Sequence, residues 1–148
     1  MLPAPLEPIR TMPMPESGYS RAEPILLVED DPEIRAVLVE CLEDNGFGVI
    51  EAADAERAIA LLEQGLAPPV VVTDINLGPG WSGLALADRI HEFSPQMPVV
   101  FITGRLDMLR DRGVKAHEYL VPKPFPLSAL MGVVRRFATA DRRSMRLN

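Results

Sequence analysis

Cysteine occurs once in the 148 residues, at Cys41. A single thiol excludes an internal disulfide framework and any zinc site built on thiolates, and it suits a reducing, cytoplasmic setting. Histidine is nearly as scarce: His91 and His117 lie far apart and match no metal-ligand spacing, so a surface or interface role is expected for both. No apolar run approaches the roughly 18 residues of a membrane-spanning helix. The N-terminus also lacks the apolar block of a signal peptide, so no membrane insertion is expected. Positive charge is in deficit, with a formal net charge of −6. That argues against a general affinity for nucleic acid, which rests on neutralising phosphates, and no direct nucleic-acid partner is expected.

What the chain does have is hydrophobic content of 47%, enough for one core, and strands that end in acids or hydroxyls. The stretch around which the rest is organised is Val70-Val71-Val72-Thr73-Asp74. A β-branched run of this kind reads as a central strand buried on both faces, and it carries Asp74 to its carboxyl tip. Upstream, residues 1–23 hold prolines at 3, 5, 8, 13 and 15 and read as a Pro-rich disordered extension. Pro24 to Val28 reads as the first strand, closed by Glu29-Asp30-Asp31. Asp31 caps a helix with Pro32 at its first position. That helix is expected to bury Ile34, Val37, Leu38, Cys41 and Leu42, which follow a helical spacing.

A second strand is read over Phe47 to Ala52, then a helix capped by Asp54. After the organising strand comes a loop, Leu77 to Gly83, whose glycines and proline forbid regular structure and which contains Trp81. Leu84, Ala87, Ile90 and Phe93 mark a third helix, and Pro98 to Ile102 a fourth strand leading into Thr103-Gly104. A short, charged helical pattern runs from Leu106 to Arg112. Tyr119 to Val121 reads as a last strand, placed at the sheet edge because Pro122 cannot donate to a ladder. An amphipathic helix to Phe137 ends a domain read as residues 24–138, followed by a basic flexible tail, 139–148.

Five strands alternating with five helices point to an α/β fold, a parallel sheet between helical layers. Right-handed crossovers and the domain's size suit the flavodoxin-like, doubly wound order 2-1-3-4-5. In that order strands one and three are neighbours, so Glu29, Asp30 and Asp74 converge, with Thr103 and Lys123 on the same rim. Carboxylates gathered in this way repel one another and call for a cation. Oxygen donors without His or Cys favour a hard ion, and Mg²⁺ suits two carboxylates, a carbonyl and water. Asp74 then reads as a nucleophile toward phosphorus, with Lys123 and the Thr103 hydroxyl serving the phosphoryl oxygens.

Val28-Glu29-Asp30-Asp31-Pro32, Thr73-Asp74-Ile75-Asn76-Leu77, Ile102-Thr103-Gly104 and Lys123-Pro124-Phe125 together resemble the receiver domain of two-component response regulators. The resemblance implies that Glu29, Asp30, Asp74 and the backbone carbonyl of Asn76 bind Mg²⁺. It implies further that Asp74 is the phosphoacceptor, with Lys123 and Thr103 completing the site, and that the Lys123-Pro124 bond is cis. A histidine kinase or phosphotransfer protein would be the donor and an unknown protein the downstream partner, in a stand-alone signalling domain that is monomeric or weakly dimeric and not a conventional enzyme. Three departures stand out. The place three residues before the lysine, where the family has an aromatic switch residue, is Leu120, with Tyr119 one residue further away. The Leu77 to Gly83 loop is one residue longer than usual, and the segment between Thr103 and Lys123 is shorter. A receiver-like module that binds partners without phosphorylation is the alternative, and a dinucleotide enzyme is disfavoured because acids stand where a glycine-rich phosphate loop belongs.

Overall fold

A computed structural model of the chain describes residues 23–140. The expectations of a disordered 1–23 extension and a basic 139–148 tail lie outside the described residues, apart from Glu23, Thr139 and Ala140. One sheet organises the structure, built from β1 Ile25–Val28, β2 Val49–Ala52, β3 Val71–Asp74, β4 Val99–Thr103 and β5 Glu118–Pro122. Every pairing is parallel and the order is 2-1-3-4-5. This is the flavodoxin-like topology, whose strand order reverses between β1 and β3 and opens a crevice beyond their carboxyl ends.

Four α-helices cover the two faces: α1 Pro32–Asp44, α2 Ala55–Glu63, α3 Gly83–Phe93 and α4 Leu127–Val134. Alternation along β1 sends Leu26 and Val28 into a layer with Ile59, Leu62, Leu86 and Ile90 of α2 and α3. Ile25 and Leu27 enter the opposite layer with Leu38 and Leu42 of α1 and Leu130 and Val134 of α4. Each such side chain contributes about 1.5–3 kcal/mol of hydrophobic stabilisation when fully buried. The helix starts follow their caps. Asp31 accepts from the amides of Glu33 and Ile34, Asp54 from that of Arg57, and Ser82 from that of Ala85.

Two expectations about the helices are corrected. Of the anticipated α1 stripe only Leu38 and Leu42 are buried; Ile34 and Val37 are exposed, and Cys41 is half-buried against the α1/α4 layer. Their helical spacing is real, but the sheet covers only the part of the stripe nearest to it. Phe93, at the last turn of α3, is likewise exposed, with the Arg89 guanidinium 5.4 Å from its ring centre. The fifth helix is absent among the described residues, for Leu106–Leu109 forms only a 3-10 turn. Arg105 offers that turn no side-chain cap, and Gly113, at φ 74°, reverses the chain soon after. A segment so short cannot repay the cost of starting an α-helix.

Charge holds that segment in place of helical packing. Glu118, at the start of β5, has a fully buried side chain and accepts from Arg112 Nη1 at 2.8 Å, from Arg112 Nη2 at 2.5 Å and from the Lys115 amide at 2.7 Å. Arg112 also reaches Asp88 of α3 at 2.8 Å, and its guanidinium lies 5.7 Å from the Phe101 ring centre. The hydrogen bond from Arg112 holds the Asp88 carboxyl below its ordinary range. His91 completes the cluster, with Nε2 at 2.8 Å from the Met97 carbonyl oxygen and Nδ1 at 3.7 Å from Glu118. The histidine expected at a surface or interface is thus half-buried in a charged network anchored on the buried Glu118, a role that spacing alone does not reveal.

Candidate functional site

β1 delivers Glu29 and Asp30, and β3 delivers Asp74, to the crevice where the strand order reverses. Glu29 and Asp74 are both buried, whereas Asp30 is exposed. β5 brings Lys123 to the same rim: its Nζ lies 2.9 Å from Asp74 Oδ2 and 3.9 Å from Glu29 Oε1. The other Asp74 oxygen, Oδ1, accepts from the Asn76 amide at 3.1 Å. The Lys123 amide donates to the Thr103 carbonyl at 2.7 Å, which ties its backbone to the end of β4; as the resemblance implied, the Lys123-Pro124 bond is cis. Thr103 is fully buried, and its hydroxyl accepts from the Arg105 amide at 2.8 Å, which leaves its O–H free to donate.

Glu29 is the electrostatic anomaly of the cleft. Burial pushes its carboxyl up to about 7, and the Asp74 and Asp30 carboxyls add to the rise. The Asp31 amide, donating to Oε2 at 3.1 Å, and the Lys123 ammonium pull the other way. Oε1 remains buried without a hydrogen-bond partner. A buried acceptor in that condition costs about 1–3 kcal/mol, more when charged, unless something answers it. Among the described residues no three His, Cys, Asp or Glu side chains gather into a ready-made metal cage. The cleft instead offers a carboxylate oxygen that no hydrogen bond satisfies and a second carboxylate beside it, with the exposed Asp30 at the rim. That donor set fits a hard cation which keeps several of its waters, as Mg²⁺ does.

The site therefore brings Glu29, Asp74 and Lys123 together directly. Thr103 stands on the same rim without a hydrogen bond to Asp74. Gly83 explains how the following helix comes so close: a Cβ there would lie 2.1 Å from the Asp74 carbonyl oxygen, and the Gly83 amide donates to Ile75 O at 2.7 Å. The register of β5, which runs without a bulge against β4, decides which layers Tyr119 and Leu120 face. Tyr119 faces the α1/α4 layer, its ring 5.0 Å from that of Phe137 with the Arg136 guanidinium over it. Leu120 packs into the other layer, so the place three residues before the lysine holds an aliphatic side chain. Trp81 in the long loop is 41% exposed. Sequence reasoning missed Arg35, which donates to the Glu29 carbonyl at 2.7 Å; its place in α1 gave no signal beyond a basic residue near the acids.

Residues 25–135 match the family described as the response regulator receiver domain. The chain is 35% identical over 124 residues to the C4-dicarboxylate transport transcriptional regulatory protein DctD of Pseudomonas aeruginosa, covering 82% of this chain and 26% of that protein. It thus spans about a quarter of the length of that relative. Among solved structures, it resembles a response regulator receiver protein from Sinorhizobium medicae with a TM-score of 0.71 and 31% identity, covering 78% of this chain and 94% of that one. The response regulator protein TrrA of Thermotoga maritima, solved in complex with Mg²⁺ and BeF, gives a TM-score of 0.69 at 30% identity, over 78% and 98% of the two chains.

Proposed function

The chain belongs to the response regulator receiver family, a family of signalling domains rather than conventional enzymes, and we propose that it accepts a phosphoryl group on Asp74. The observation that carries this reading is the Asp74–Lys123 pair at 2.9 Å beside a buried Glu29 Oε1 that no hydrogen bond satisfies. In the transfer, an Asp74 carboxylate oxygen attacks the phosphorus of a phosphohistidine. An O–P bond forms, the P–N bond breaks, and the imidazole nitrogen departs with the electron pair and takes up a proton. Lys123, already at the carboxylate, exchanges it for a phosphoryl oxygen. The Thr103 hydroxyl, whose proton is uncommitted, turns to donate to a second oxygen. Glu29, Asp30, Asp74 and the Asn76 carbonyl would hold Mg²⁺, which supplies charge neutralisation to the equatorial oxygens.

A histidine kinase or phosphotransfer protein is the donor by this reading, and a downstream protein reads the modified rim in the cytoplasm. No helix of the described residues is long and apolar enough to cross a membrane. The reading is tested with Mg²⁺ and beryllofluoride, an analogue of the acyl phosphate. Thermal unfolding should show that beryllofluoride raises the melting temperature beyond the rise given by Mg²⁺ alone, and that this further rise is missing from Asp74→Asn. A further rise of the same size in Asp74→Asn would place the acceptor elsewhere.

A further inference from the structure

Arg35 lies on α1 behind the carboxylate cluster, with its side chain only 20% exposed. Its guanidinium divides its donors: Nη1 goes to the Glu29 carbonyl at 2.7 Å and Nε to Glu51 Oε1, on β2, at 3.1 Å. Glu29 follows the last residue of β1, so its carbonyl leaves the sheet just where the acid must be aimed. Its amide still donates to the Ala52 carbonyl at 3.1 Å. The backbone of Glu29 is therefore gripped from both sides, by β2 at the N–H and by Arg35 at the C=O. With the main chain fixed, Oε2 meets the Asp31 amide, and Oε1 is left in the cleft without a hydrogen bond, the Lys123 ammonium 3.9 Å away. Glu51 occupies the other part of the fork, and so keeps the guanidinium charge off the carboxylates that a cation would need.

Resting on the reading of this cleft as a phosphoacceptor site, we propose that Arg35 is a positioning residue for Mg²⁺ binding. It holds the Glu29 peptide so that Oε1 stays presented to the cation, while Glu51 holds the guanidinium away from it. A planar fork is needed to reach a carbonyl and a carboxylate at once, and a lysine ammonium is a single point of charge.

The test uses the full chain and MgCl₂ alone, with no phosphoryl donor, and follows melting temperature over a concentration series. The increment with Mg²⁺ reports affinity by linkage, separately from the stability of the metal-free protein. Arg35→Ala is expected to bind Mg²⁺ about tenfold more weakly, the loss typical when the outer partner of a metal ligand is removed. Arg35→Lys, which keeps the charge but not the fork, should lose about threefold and serves if the alanine variant fails to fold. Glu51→Gln keeps an acceptor oxygen and should stay within about twofold of the wild type. A lower melting temperature in the Arg35 variants with wild-type Mg²⁺ affinity would overturn the proposal, since a merely structural residue behaves in that way. Equal loss in Glu51→Gln would overturn it too. Absence of any Mg²⁺ response in the wild type would overturn the reading of the cleft itself, and the role of Arg35 with it.

Discussion

Replacing Arg112 by methionine keeps an unbranched apolar side chain and removes the guanidinium that faces Glu118 and lies over the Phe101 ring. The Glu118 side chain is 0% exposed and that of Arg112 14%, so the change strands a carboxylate inside the protein with the Lys115 amide as its remaining hydrogen-bond donor. Breaking a buried pair by taking away one partner costs about 3–5 kcal/mol, because the other charge stays desolvated. A domain of this kind has about 5–15 kcal/mol in total. With a urea m-value of about 1.5 kcal/mol/M, the unfolding midpoint should fall by about 2–3 M. The double variant Arg112→Met/Glu118→Leu should recover most of that loss, since an apolar pair of similar volume replaces a buried ion pair at little or no cost. A loss in Arg112→Met below about 1 kcal/mol, the size found for exposed pairs, would refute the claim that charge does the work of the missing helix.

Gly83→Ala should destabilise by several kcal/mol in urea titration, because the added Cβ would lie 2.1 Å from backbone at Asp74; stabilisation by about 1 kcal/mol, as for an ordinary helix glycine, would contradict the close approach. Glu29→Gln tests the raised carboxyl. In the unfolded chain this group ionises near its ordinary 4.5, whereas in the fold it holds its proton up to about 7. Its contribution to stability is therefore greatest in acid and is lost as pH rises through 7. At pH 8 without Mg²⁺ the ionised group costs about 3 kcal/mol, so Glu29→Gln should melt higher than the wild type at pH 8, not at pH 4, and should lose its response to Mg²⁺. A lower melting temperature at pH 8 would show that the carboxylate is already compensated. Tyr119→Leu should cost about 0.5–1.5 kcal/mol from the lost aromatic pair while keeping the full response to Mg²⁺ and beryllofluoride; loss of that response would return Tyr119 to the switch.

The sheet was legible in the sequence because a parallel strand buried on both faces is a near-continuous apolar run. Val70 to Val72 and Val99 to Ile102 have no other good solution in a chain of this length. The rim followed from topology: once the order 2-1-3-4-5 is adopted, Glu29, Asp74, Thr103 and Lys123 share an edge, and the structure places all four there. Features that depend on who faces whom were not legible. Ile34 and Val37 keep a helical spacing, but the width of the buried stripe is set by the sheet below. The turn at Leu106–Leu109 carries a helix-like pattern too short to nucleate, and its anchor, Arg112 to Glu118, joins residues that look like ordinary surface charges. Arg35 is hidden in the same way, since a bond from a side chain to a backbone carbonyl leaves no trace in residue type.

The central claim, that Asp74 is the acceptor, is tested most directly by the intact mass of the protein after incubation with acetyl phosphate, with and without Mg²⁺. A single phosphoryl adduct that requires Mg²⁺, is removed by hydroxylamine as an acyl phosphate should be, and is absent from Asp74→Asn is the predicted result. An adduct that persists in Asp74→Asn, or one that forms equally without Mg²⁺, would contradict the account.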